Sequence, residues 1–147
     1  EYVMADADTY ITTRSGEGGS AVPLDIPESL GVLARMTNGA RAAYRLSTVT
    51  PNPMDANGVA VYGSKGTLHW RQGDTMALAP VGGAPTPLEP DAGTAGEWTV
   101  EAEFVASIRD GAPVELTNFA DGVAYMQFTE AVWRSWHEGR RVALNEL

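Results

Sequence analysis

The stretch Gly63-Ser64-Lys65-Gly66 is the first place in this sequence to look for chemistry, because a glycine-flanked lysine loop can cradle phosphate. The phosphate-loop pattern requires four residues between its first glycine and a Gly-Lys-Ser/Thr triplet, and that pattern is absent. Glycines bracketing a tight turn explain the stretch instead. His69 and His137 are the only histidines, and neither stands in a His-x-x-x-His or similar ligand spacing, so neither is read as a metal ligand. His137 falls on a polar helix strip, and His69, beside Trp70, on a strand. Glu101 and Glu103 lie two apart on a helix and point different ways. Asp6 and Asp8 share a strand face and read as two solvated carboxylates. Ser47 and Thr48 lack the His–Asp partners of a hydrolase triad. Trp133 and Trp136 suit a core or an interface better than cofactor stacking. There is no Gly-x-Gly-x-x-Gly dinucleotide fingerprint. The residues alone therefore assign no catalytic, cofactor-binding or metal-binding position, and they leave the substrate contacts unknown.

Composition sets the frame for these residues. A chain of 147 residues that is 44% hydrophobic and 20% charged has the length of one globular domain with a real core. A net charge of −9, with ten scattered Lys and Arg, argues against nucleic acid, which demands a basic patch. Apolar runs are only a few residues long, so no helix spanning a membrane is expected, and a cytoplasmic location is. The absence of cysteine excludes disulfides and thiolate metal sites. The sequence opens directly in a strand pattern, from which we expect a piece of a longer polypeptide.

The elements that must position these side chains follow from periodicity. Residues 2–12 alternate, with Val3, Ala5, Ala7, Thr9 and Ile11 on one side, which predicts a half-buried strand. Residues 15–20 form a polar loop. Asn38-Gly39 predicts a two-residue hairpin turn joining Leu30–Thr37 to Ala40–Thr50, with Leu30, Val32, Ala34 and Met36 on one face. Pro51-Asn52-Pro53 breaks the chain. A second hairpin, Gly58–Tyr62 and Thr67–Arg71 around the turn 63–66, is followed by a turn beginning Gln72-Gly73-Asp74 and a short strand, Thr75–Ala79. Residues 80–96 hold four of the nine prolines, which predicts a surface connection.

Two helices follow. Trp98–Arg109 places Val100, Phe104 and Ile108 on one stripe, with Val105 beside it, and Asp110-Gly111-Ala112-Pro113 ends it. Thr117 is the expected N-cap of the second, with Asp121 in its first turn. Its face of Ala124, Phe128, Ala131, Val132 and Ser135 is apolar, and burial of Phe128 would contribute about 1.5–3 kcal/mol. Glu130 and Arg134 can pair at i, i+4. Gly139 closes the helix, and Arg141–Leu144 returns as a strand. The sum is an α+β two-layer sandwich: a largely antiparallel, open-faced sheet of about six strands with two helices packed on one face. The open face and the surplus apolar arc of the second helix call for partners.

The ordered set of "VAVYGSKGTLHW", the proline-rich gap, "EFVASIRDGAPV" and "DGVAYMQFTEAVWRSWHEGRRVAL" resembles the C-terminal domain of the Gfo/Idh/MocA family of NAD(P)-dependent oxidoreductases. The resemblance covers almost the whole chain and implies that residues 1–147 are a single substrate and oligomerisation domain of a sugar- or polyol-dehydrogenase-like enzyme. It also implies a partner, the polypeptide's own N-terminal Rossmann domain, which binds NAD or NADP and lies outside this chain. The family's Glu-Lys-Pro and Asp-x-x-x-His motifs do not occur here. Lys65, the only lysine, precedes a glycine, and no Asp stands four residues before either histidine. No catalytic residue is carried over, no cofactor is expected to bind this chain, and the isolated chain is expected not to be catalytic. The resemblance further implies a homo-dimer or tetramer formed through the open sheet face. The alternative is a stand-alone ligand- or protein-binding module using that face.

Overall fold

The alternation at the start of the chain produces the strand on which the fold is built. A computed structural model describes residues 1–51, 57–73, 75–89, 93, 98–115 and 118–147. In it Tyr2–Asp8 is strand β1, with Val3 buried, Ala5 and Ala7 half-buried, and Met4, Asp6 and Asp8 exposed. The chain divides into two units, residues 1–50 with 100–147, and residues 51–99.

In the first unit β1 pairs antiparallel with β4 (Ser29–Arg35), which pairs with β5 (Arg41–Ser47). The short ribbon β2 (Thr13–Ser15) and β3 (Ala21–Pro23) occupies part of the stretch between β1 and β4. Helix α1 covers Val100–Asp110 and α2 Phe119–Glu138. The last strand of the chain, Val142–Ala143, pairs with β1 and makes the sheet order β10-β1-β4-β5, once the second unit's strands are counted. Those strands are β6 (Gly58–Gly63), β7 (Gly66–Arg71), β8 (Thr75–Pro80) and β9 (Thr86–Leu88), an antiparallel meander in chain order.

The fold is thus α+β with antiparallel sheets, but the expected single sheet of about six strands is instead sheets of four, two and four strands among the described residues. Each strand of the meander pairs with its sequence neighbours. Asn52, Pro53 and Asp74, on which breaker and turn readings rested, lie outside the described residues, as do 90–92 and 94–97. Part of the supposed surface connection at 80–96 is strand β9. The β4–β5 hairpin is present with Val32 and Ala34 buried inward, but its loop is longer than expected. Met36 N–H donates to Ala40 O, Gly39 N–H donates to Met36 O, and Gly39 has φ +86°, a three-residue loop with glycine in the left-handed region.

Helix α2 is capped by Asn118. Its side chain accepts from the N–H groups of Ala120 and Asp121, and the Asp121 carboxylate accepts from Asn118 N–H. Thr117, the expected cap, lies outside the described residues. Gly139 ends the helix at φ +62°, as its position predicts, and Glu130 and Arg134 pair at 2.7 Å. Only α2 packs closely on the sheet. Helix α1 buries none of its residues, so the expected second covering helix does not bury an apolar face among the described residues.

The core is Val3, Val32, Ala34, Ala131, Val132 and Val142, all small or β-branched, which lets the helix lie close to the sheet. Phe128 is only half-buried at the edge of this core, its ring 5.6 Å from that of Tyr44. Ser135, fully buried, makes the decisive polar link. Ala5 N–H donates to its Oγ at 2.9 Å, and the hydroxyl donates to Arg140 O at 2.6 Å. Extending the Val3–Val142 register sets Ala5 opposite Arg140, so the hydroxyl bridges a ladder position that the chain's turn out of the helix would otherwise leave open. Ser135→Ala leaves two inward-facing backbone groups without that partner and is expected to cost about 1–3 kcal/mol in urea unfolding. A loss below roughly 0.5 kcal/mol would show that neither group depends on the hydroxyl.

Candidate functional site

The chemistry-bearing side chains of the first unit gather on the sheet face opposite the core. Register places them in four rows across β1, β4 and β5: Tyr2, Arg35 and Arg41; Met4, Leu33 and Ala43; Asp6, Gly31 and Arg45; Asp8, Ser29 and Ser47. Strand β10 adds Arg141, whose guanidinium lies over the Tyr2 ring, 4.6 Å from its centroid. Arg35, Arg41, Arg45 and Arg141 make no ion pair with a carboxylate among the described residues. The Tyr2 end of the face is therefore basic, with Arg35, Arg41 and Arg141, while Asp6 and Asp8 make the other end of β1 acidic and Arg45 stands two strands away in the row of Asp6.

Two tyrosines register this polarity in opposite directions. Hydrogen bonding from Arg35, assisted by Arg141 and by the charge of both, lowers the Tyr2 hydroxyl below the ordinary tyrosine value. The charge of Asp8, whose Oδ2 accepts from Tyr10 Oη at 3.3 Å, raises Tyr10. Beside the basic end an open hollow of about 680 Å³ includes Glu1, Thr37, Arg140 and Asn145 in its lining. There Arg140 is already neutralised by Glu138 at 2.6 Å and Glu146 at 2.9 Å, which leaves Arg141 as the hollow's open cation. The same Arg140 contact, after the bond from Ala143 N–H, holds Glu146 below the usual carboxylate range.

The acidic end is fixed by a residue that no pattern in the sequence singles out. Glu28, 6% exposed, accepts from the N–H groups of Tyr10 and Ile11 through Oε2, both at 2.8 Å. Its Oε1 is buried with no partner among the described residues. Glu28 N–H donates to Asp8 O and Glu28 O accepts from Thr48 N–H, so this one residue ties the ends of β1 and β5 to the start of β4.

The other residues noted in the sequence are not brought together. Glu101 is exposed at the start of α1, while Glu103 accepts from Glu115 N–H at 3.0 Å. Ser47 Oγ accepts from Val49 N–H and from the Thr50 hydroxyl, a local turn at the end of β5. His137 donates from Nδ1 to Trp133 O at 2.9 Å and stacks on the Trp133 ring at 3.9 Å. In the second unit His69 lies between Ala60 and Ala77 in register and edge-on to Tyr62. Ser64-Lys65 is the two-residue loop between β6 and β7, and a Cβ on Gly66 would collide with the Ala79 carbonyl. Strand packing, rather than phosphate binding, thus accounts for that glycine. Among the described residues no group of three or more His, Asp or Glu is placed to hold a metal ion, and no helix is long and apolar enough to cross a membrane.

No protein-family model and no curated sequence matches the chain. Solved structures do match it. An NAD-binding oxidoreductase from Klebsiella pneumoniae is similar with a TM-score of 0.77 at 16% identity, over 96% of this chain and 44% of that one. An oxidoreductase domain protein from Kribbella flavida gives 0.75 at 16%, over 96% and 43%. A levoglucosan dehydrogenase in complex with NADH and L-sorbose gives 0.74 at 19%, over 96% and 43%. The fold is that of the C-terminal part of these oxidoreductases, and the chain spans less than half of their length.

The polarity of the sheet face has a direct optical readout. In a titration followed at 295 nm, Tyr2 should ionise below the ordinary tyrosine value and Tyr10 above it. Between its lowered folded value and the ordinary one, the folded chain holds fewer protons on Tyr2 than the unfolded chain. Stability from this residue therefore rises with pH in that window and is lost as pH falls through the folded value. Tyr2→Phe should delete the transition below the ordinary tyrosine value, and Arg35→Met should move it upward. An unchanged transition there in both variants contradicts the assignment.

Proposed function

We propose that this chain is the C-terminal substrate and oligomerisation domain of an NAD(P)-dependent oxidoreductase acting on a sugar, a polyol or a related compound. The observation that carries the reading is the shared fold, which extends over 96% of this chain in relatives described as NAD-binding or dehydrogenases. In that role the chain forms a wall of the substrate pocket. Hydride passes between nicotinamide and a substrate carbon bearing hydroxyl or carbonyl, on machinery outside these residues. We place the nicotinamide site outside this chain. Every strand pair among the described residues is antiparallel, so there is no strand–helix–strand crevice to receive a pyrophosphate.

Two surfaces suit the remaining roles. On α2, Phe119, Val123, Met126 and Trp133 recur at helical spacing on the side away from the core, and all are exposed, Phe119 by 85%. With Phe104 and Ile108 of α1, also exposed, they supply apolar surface for the polypeptide's own N-terminal domain. The open face of the β10-β1-β4-β5 sheet serves self-association.

Calorimetric titration of the 147-residue chain with NAD⁺ and with NADP⁺ is expected to give no binding heat, while the longer polypeptide reduces NAD(P)⁺ in the presence of a sugar or polyol. A 1:1 micromolar isotherm with the chain alone would overturn this division of labour. Failure of the longer polypeptide to reduce either cofactor with any sugar or polyol would overturn the activity.

A further inference from the structure

We infer that the Tyr2 end of the first unit's sheet binds a phosphate group, free or carried as a monoester on a small molecule, between the guanidinium groups of Arg35 and Arg141, with the Tyr2 hydroxyl as a third donor. The site is independent of the domain reading above.

This corner collects positive charge that nothing among the described residues answers. Tyr2 pairs with Arg35 of β4 on one side, while Arg141 leads into β10 on the other. Arg41 stands directly opposite Arg35 on β5, and like charges facing each other across a ladder weaken the pairing. In a chain of net charge −9, no described carboxylate forms an ion pair with any of these three arginines. A bound dianion relieves that repulsion.

The donors are held in place without a ligand. Arg35 Nη1 donates to Gly39 O at 2.9 Å, and the Arg141 guanidinium lies over the Tyr2 ring, 4.6 Å from its centroid. Arg35 hydrogen-bonds the Tyr2 hydroxyl and Arg141 assists, so two cationic forks and one hydroxyl converge. A guanidinium carries five N–H donors, which leaves each fork free to bind oxyanion oxygens, and two such charges match a phosphate dianion. The hollow beside Tyr2 and Arg141 gives room for the body of an ester, and Thr37 adds a hydroxyl to its wall. Of the carboxylates on that wall, Glu146 is taken by Arg140, and Glu1 pairs with neither Arg35 nor Arg141.

Calorimetric titration of the 147-residue chain with inorganic phosphate at low salt tests this. A saturable 1:1 isotherm is expected, weakened by added sodium chloride. Arg35→Met and Arg141→Met should each weaken binding at least about tenfold. Arg45→Met, which removes the same charge from the same face, should leave affinity within about twofold of wild type. All three side chains are exposed, so circular dichroism should be unaltered. Glycerol 3-phosphate separates the two sources: affinity equal to or above that of phosphate marks a monoester ligand, and a tenfold or greater loss marks free phosphate. Phosphate and the Tyr2 phenolate compete for the same guanidinium groups. Saturating phosphate should therefore move the Tyr2 transition at 295 nm upward, and Tyr2→Phe should abolish that movement. No isotherm with the wild type, an equal loss in Arg45→Met, or a Tyr2 transition indifferent to phosphate overturns the site.

Discussion

The Ser135 hydroxyl, held between Ala5 N–H and Arg140 O, joins the three pieces on which the first unit depends: the first strand, the long helix and the last strand. The strand needs a partner for the Ala5 N–H, yet the chain is turning out of a helix there and has no extended backbone to offer. Serine solves the problem because one hydroxyl both accepts and donates. The small size of Ser135 and Ala131 brings α2 near enough for the bridge to form, and Gly139 supplies the left-handed residue that turns the chain back into β10. Packing, capping and hydrogen bonding therefore fix the same register of helix on sheet.

That register decides which surfaces remain for other work. With Val3, Val32, Ala34 and Val142 turned to the helix, alternation forces Tyr2, Met4, Asp6, Asp8, Leu33 and Arg35 to the other side. The outward stripe of α2 and the apolar residues of α1 remain uncovered by the sheet. In the second unit no described residue is buried, although Val59, Val61 and Leu78 are apolar. The solved structures that share its fold are more than twice its length.

Much of this was legible in the order of residues. Period-two alternation marked β1 and the β4–β5 hairpin, and Gly139 marked the end of α2, because these are local signals that the backbone obeys wherever it lies. Asn38-Gly39 marked the turn but not its length, since glycine serves a three-residue loop as readily as a two-residue one. The ribbon at 13–23 and strand β9 were hidden, being three-residue strands without a buried face to impose a pattern. The number of sheets was hidden as well, because sequence periodicity shows that a strand has two faces and says nothing of which strand lies beside it.

The site divides along the same line. Sequence alone determined that the chain carries no dinucleotide fingerprint and no nucleophile–base spacing, and that its last third alternates apolar and polar at helical period. Those are properties of residue type and interval. Only the tertiary structure brought Arg141 from one end of the chain over Tyr2 at the other, buried Glu28 under the Tyr10–Ile11 backbone, and set Gly31 beside Leu33 on an exposed sheet face. Charge and shape complementarity arise between residues distant in sequence, and a strand's neighbours are chosen by the packing of the whole unit. For that reason an open face was legible in the sequence, whereas the side chains that share it could be read only from the folded chain.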